Sequence, residues 1–164
     1  MNRTSLTRGF RIALVAAATI LVIAIAPSAT AAPPEAVDVT ITETLDSGVP
    51  NGVYKTGSIP NCTTPTVTTP VASVVETPTT FRFAGEKVFH CDEAGNTFTI
   101  EFSARAKKCE TTDSGSWRLI AGTGDFAGAT GSGRLIGTYF GGAGTACDND
   151  GIDDRWIGKI KFAS

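Results

Sequence analysis

Eleven residues constrain this chain more than any others: from Thr97 to Lys107, Phe98, Ile100, Phe102, Ala104 and Ala106 alternate without a break against Thr99, Glu101, Ser103, Arg105 and Lys107. A period of two puts each set on its own face of an extended strand, so the apolar set must be covered while the polar set faces water. The same period recurs in Ala36–Glu43, where Val37, Val39 and Ile41 alternate with Asp38, Thr40 and Thr42. It returns in Arg155–Phe162, where Trp156, Gly158, Ile160 and Phe162 oppose Arg155, Lys159 and Lys161, with Ile157 the exception. Phe81–His90 runs through the turn residues Asp92–Asn96 into Thr97–Lys107 and predicts a hairpin. Trp117–Ile120 and Ser132–Phe140 add two more strands, and a turn is expected at Ser47–Gly52. Between Thr56 and Thr80, Pro60, Pro65, Pro70 and Pro78 among many threonines predict irregular or edge structure, with one short strand at Val71–Glu76. Short alternating strands separated by turn signals, with no sustained helical period, predict an all-β fold: an antiparallel barrel of about eight strands, or alternatively a β-sandwich. Nine glycines within the 23 residues from Gly122 to Gly144 supply the tight corners that a barrel requires.

The N-terminal end has a different character. Arg3, Arg8 and Arg11 precede the apolar run Ile12–Ala26, which closes on Pro27 and the small residues Ser28–Ala31. This is the layout of a secretory signal peptide over residues 1–31, with cleavage expected between Ala31 and Ala32. The apolar run is 15 residues long, short of the roughly 20 that a membrane-spanning helix needs. Residues 32–164 then form a single domain of 133 residues, secreted or extracellular, with no membrane attachment after cleavage. Its 11 basic and 16 acidic residues give a net charge of −5, the wrong sign for nucleic acid or an anionic membrane as partner. All four cysteines, Cys62, Cys91, Cys109 and Cys147, lie in this part. An even count in an oxidising compartment predicts two disulfides. Of the three pairings available, Cys62–Cys91 with Cys109–Cys147 is favoured, because each then ties a loop to a nearby strand end. Zinc is disfavoured: no Cys-x-x-Cys pair is present and His90 is the only histidine.

Motifs that carry chemistry are sparse. Gly122–Gly128 has the spacing GxGxxxG and no helical run behind it, and Gly128–Gly133 is followed by Arg134-Leu135 where a phosphate loop requires Lys and Ser or Thr. Asp148, Asp150 and Asp154 are the candidate metal ligands, in the stretch Cys147–Asp154 that resembles a calcium loop in its alternating acids. With Gly151 at the loop's glycine position, Ala146 and Ile157 stand where two main ligands belong, so the stretch reads as an acidic hairpin turn and no metal is expected. His90 has no partner nucleophile in a GxSxG setting. Glu86, Asp92, Glu93 and Glu101 are the acids from which a carboxylate pair would have to be drawn, but strand spacing alone joins none of them. No catalytic residue is assigned and no cofactor is expected.

The segment from Trp117 to Gly133, WRLIAGTGDFAGATGSG, resembles the W…GTGdFaGatGsG signature of the allene oxide cyclase-like barrel superfamily, which includes dirigent proteins and many small exported bacterial proteins of unassigned function. The ending Asp154–Ile160, DRWIGKI, is similar to the closing strand of those bacterial proteins. The two segments cover 24 of the 133 residues from 32 to 164, and the resemblance implies an eight-stranded antiparallel barrel around an apolar cavity. It transfers no catalytic residue, because the acidic and polar pocket groups of the plant cyclases have no counterparts that can be placed in the N-terminal half. The expected role is that of a non-catalytic binding module for a small apolar ligand, lined by Phe98, Phe102, Trp117, Tyr139 and Trp156. The alternatives are an isomerase or cyclase acting in the same cavity, and an extracellular structural or inhibitory protein using the Thr/Pro segment. The oligomeric state is open.

Overall fold

The structure, a computed structural model, describes residues 32–44, 51–91 and 95–164. The expected leader through Ala31, most of the Ser47–Gly52 turn and the turn residues 92–94 lie outside this set. Eight strands follow one another: β1 (Glu35–Thr44), β2 (Asn51–Ser58), β3 (Thr66–Glu76), β4 (Thr80–His90), β5 (Thr97–Lys107), β6 (Thr112–Gly122), β7 (Thr130–Phe140) and β8 (Gly151–Lys161). Each pairs antiparallel with the next, and β8 returns to β1 over ten residue pairs, closing the barrel. The sandwich alternative is thereby set aside, since a sandwich has two sheets and this wall has one.

Alternation decides which side chains enter. In β5, Phe98, Ile100, Phe102, Ala104 and Ala106 are all buried, and the residues between them face outward. The strand expected at Val71–Glu76 is present as the second half of β3, but the Thr/Pro segment departs from expectation in extending that strand back to Thr66 and in supplying the end of β2. Pro60 and Pro65 fall in the loop between the two strands and Pro78 in the turn before β4. Pro70 lies at a bulge, where the register with β4 shifts between Thr68 and Val71, beyond the last residue paired to β2. There its missing N–H interrupts no continuous ladder. The β2–β3 seam is the shortest in the wall, with three residue pairs, against eleven between β4 and β5.

The two ends of the barrel differ. At one end the start of β1 and the end of β8 meet the loops β2–β3, β4–β5 and β6–β7, and here the interior is solid. Phe126 sits on a single 3-10 turn, Gly124–Phe126, and points into the barrel fully buried. Its ring lies 4.6 Å from Phe98 and 5.5 Å from Phe162, and Phe98 stacks on Phe89 at 4.6 Å. Gly124 takes a φ of +57°, and the Asn96 side chain occupies the space its Cβ would need, accepting from the Asp125 N–H at 3.0 Å. The GTGDF run is therefore a plug. Just above it, Gly133 of β7 and Gly158 of β8 face each other across the ladder, and the Trp117 indole lies in the slot their missing side chains leave. The void remaining here, between Trp117, Trp156 and Phe98, measures about 10 Å³, room for at most one water.

Each end carries a disulfide. Cys62–Cys91 joins the β2–β3 loop to the end of β4 at the plugged end, with Cα atoms 5.0 Å apart, and Cys109–Cys147 joins the β5–β6 turn to the β7–β8 loop at the other, at 4.8 Å. This is the pairing favoured from the sequence. Two such bonds belong to an oxidising environment.

Candidate functional site

Above the plug, the alternation continues but the residue types change. On β1 the inward series Val37, Val39, Ile41 is completed by Glu43; on β4 the series that includes Phe89 carries Lys87; on β6 Trp117 is preceded in phase by Gly115 and Asp113. On β8 Trp156 is preceded by Asp154, and on β7 Leu135 leads through Gly137 to Tyr139. All five of the ionisable residues in these series are buried. They surround a chamber of about 220 Å³, whose apolar wall includes Phe83, Phe102, Ala104, Leu135 and Ile152 and whose rim is formed by Ala72, Ser73 and Val74 of β3. The rim residues are exposed, so the chamber opens beside the β3–β4 hairpin.

Among the described residues Lys87 is the one cation lining the chamber. Its Nζ donates to Glu43 Oε1 and, at 3.1 Å, to Asp154 Oδ2, and it lies 5.2 Å from the Phe102 ring centre and 5.5 Å from that of Trp156. Burial alone would pull the ammonium down, but Asp154 and Glu43 reverse this and hold its pKa above the ordinary lysine value. Asp113 has only neutral partners: Gly137 N–H donates to Oδ1 at 3.0 Å and the Tyr139 hydroxyl donates to Oδ2 at 3.1 Å. Asp154 Oδ1 and Thr69 Oγ1 are buried without a hydrogen-bond partner. Two carboxyls thus share the Lys87 ammonium while Asp113 stands beside them without a cation of its own, and the crowding appears in the proton affinities of Glu43 and Asp113. Burial pushes Glu43 above the ordinary carboxylate range against the pull of Lys87. Burial, reinforced by the charge on Asp154, pushes Asp113 up to about 6. Burial and then Asp113 push Tyr139 upward as well, so its hydroxyl stays protonated and donates.

A pH dependence of stability follows. Asp113 binds its proton more tightly folded than unfolded, so its contribution is fully favourable below its unfolded pKa of 3.8 and is lost as pH rises through about 6. The loss is on the order of 3 kcal/mol between those limits. Urea unfolding of Asp113→Asn is expected to show that fall flattened between pH 4 and pH 7, since the amide has no charge to bury, its oxygen can accept from the Gly137 N–H and its NH2 can donate to the Tyr139 oxygen. An unchanged slope would mean that Asp113 is not the group responsible.

The candidate lining residues divide by height. Phe102 and Tyr139 line the chamber, whereas Phe98, Trp117 and Trp156 are spent filling the barrel below it, around the small void. The three candidate metal ligands are not brought together. Asp154 faces the interior from β8, Asp148 accepts from the Ala143 N–H at 3.2 Å in the outer loop, and Asp150 packs over Gly141. Among the described residues no three potential ligands converge on a metal position. The acidic stretch is also not one turn, because β8 begins at Gly151 and takes Asp153 and Asp154 into the wall. His90 lies on the outside, its Nε2 3.1 Å from Thr68 Oγ1. Glu101 pairs with Arg118 on the outer surface, and Glu86, on the opposite phase of β4 from Lys87, stays out of the chamber. Glu43, Lys87 and Asp113 were not singled out from the sequence. The signal that marks them is a charged residue standing in phase with an inward apolar series.

No family model, no curated protein and no solved structure matches this chain.

Proposed function

We propose that the protein binds a small, largely apolar molecule in the upper chamber of its barrel. The observation that carries this reading is the chamber itself, about 220 Å³ with an exposed rim, in a barrel whose other half is packed solid. A preformed cavity of about 150 Å³ already accommodates benzene in another protein, and apolar lining with a few placed polar groups is the usual composition of a binding site. The leader-like residues 1–31 and the two disulfides support an exported, extracellular setting, and kinship with the allene oxide cyclase-like barrels rests on the Trp117–Gly133 pattern. An acidic net charge supports a small molecule over nucleic acid as the partner.

A second reading has its own observation. Asp113 and Tyr139 are hydrogen-bonded to each other inside the chamber, with Asp113 at about 6, which is an acid–base pair of the kind an isomerase or cyclase would use. Recovery of the bound molecule, changed or unchanged, separates the two.

Titration with the neutral fluorophore N-phenyl-1-naphthylamine tests the binding reading. Saturable enhancement at one site per chain is expected, weakened at least about tenfold by Ala72→Trp, which places an indole across the rim without disturbing buried residues. Enhancement that never saturates, or that Ala72→Trp leaves unaltered, would place the probe elsewhere and overturn the proposal.

A further inference from the structure

The chamber wall holds one arrangement that its internal contacts leave incomplete. Asp113 on β6 stands opposite Gly137 on β7, and Gly137 stands opposite Asp154 on β8, so two carboxylates flank a residue with no side chain on one rung of the ladder. The Asp113 carboxylate fills the place a β7 side chain would take, lying over Gly137 and accepting its N–H. Asp154 gives one oxygen to Lys87 and leaves Oδ1 with no partner, in a residue only 4% exposed that lines the chamber. The charge of Lys87 is already shared between Glu43 and Asp154. What remains on the β6–β8 side is acceptor oxygens and no cation. A buried acceptor without a donor is costly, the more so when it is charged, so the arrangement rewards a ligand that brings both donors and positive charge.

We propose that the chamber receives a small primary amine, its ammonium group seated between the carboxylates of Asp113 and Asp154 and its apolar body lying against Phe83, Ala104 and Leu135 toward Val74 at the rim. The inference rests on the binding reading above and specifies the ligand's head group. A primary ammonium suits the site because its three N–H groups radiate from a compact centre, so that one group can donate to more than one carboxylate. A hydroxyl supplies one donor and no charge. A carboxylate meets two like charges and is excluded.

Three probes of nearly the same shape make the comparison: 2-phenylethylamine, 2-phenylethanol and phenylacetate, titrated calorimetrically into the folded protein near neutral pH. The amine is expected to bind at least about tenfold more tightly than the alcohol, the margin of one charge-assisted hydrogen bond, and phenylacetate not at all. Asp154→Asn should remove most of the amine's margin over the alcohol when both are titrated into that same variant. Should that variant fail to fold, Asp113→Asn and the loss of amine preference on acidifying the unmodified protein read the same interaction. Equal or tighter binding of the alcohol, or any preference for phenylacetate, overturns the head-group assignment while the binding reading stands. Failure of all three to bind removes both.

Discussion

Replacing Lys87 with methionine will destabilise the protein by about 3–5 kcal/mol near neutral pH, the range for removing one partner of a buried ion pair. Methionine is close to lysine in length and keeps the contacts to Phe102 and Trp156, so the loss is electrostatic rather than a cavity. Glu43 and Asp154 would be left facing each other with no cation, both nearly inaccessible to water. Two features distinguish this result from a simple packing defect. The deficit should shrink as pH falls and the two acids take up protons, and it should be largely cancelled in the triple variant Lys87→Met, Glu43→Gln, Asp154→Asn, where neither of these two acids is left as a buried charge without its cation. Urea unfolding followed by tryptophan fluorescence at two pH values measures both. A penalty below about 1 kcal/mol would mean the cluster is solvated in the manner of a surface pair.

Reduction of the two disulfides is the other large effect. Their separations of 29 and 38 residues correspond, in the chain-entropy account, to about 3.5 and about 4 kcal/mol of stabilisation through the unfolded state. Together that is comparable with the whole stability of an ordinary domain, about 5–15 kcal/mol. Unfolding with and without reductant is expected to show the reduced chain at the edge of unfolding at room temperature. The single removals should differ in kind. Cys62 and Cys91 tie down the solid end, so their loss lowers stability with little effect on probe binding; Cys109 and Cys147 brace the turns at the open end, so theirs lowers both. A combined cost under about 2 kcal/mol would show that the denatured chain is already held compact by other means.

Most of the wall was legible in the sequence, and the chamber only in part. The five inward positions of β5 and the four of Trp156–Phe162 follow from alternation because a strand exposes its faces strictly by turns. The β3 strand was obscured by proline, whose usual meaning in a strand assumes neighbours on both sides; Pro70 escapes it at a bulge past the end of the β2 pairing. For the chamber, phase reports which face a residue is on and nothing about its height along the barrel axis. That is why Trp117 and Trp156, correctly inward, prove to be filling rather than lining. The same phase, carried one step further along β1 and β8 and two along β6, reaches Glu43, Asp154 and Asp113. Asp154 drew attention instead for its acidic neighbours in sequence, which turn to the other face or stay in the loop.

The pairing of β1 with β8, from Glu35 opposite Ile160 to Thr44 opposite Gly151, sets the order in which this chain can become a protein. Its first strand waits for its last: until Ile160 is free of the ribosome or of any channel it is threaded through, Val37, Val39 and Ile41 have a partner on one side only. Hairpins such as β4–β5 can form early from local contacts, whereas sealing the cylinder joins residues more than a hundred apart in sequence and is slow for that reason. The finished interior, with the Lys87 ammonium among its acids, therefore assembles only once β8 has been made and is free to pair.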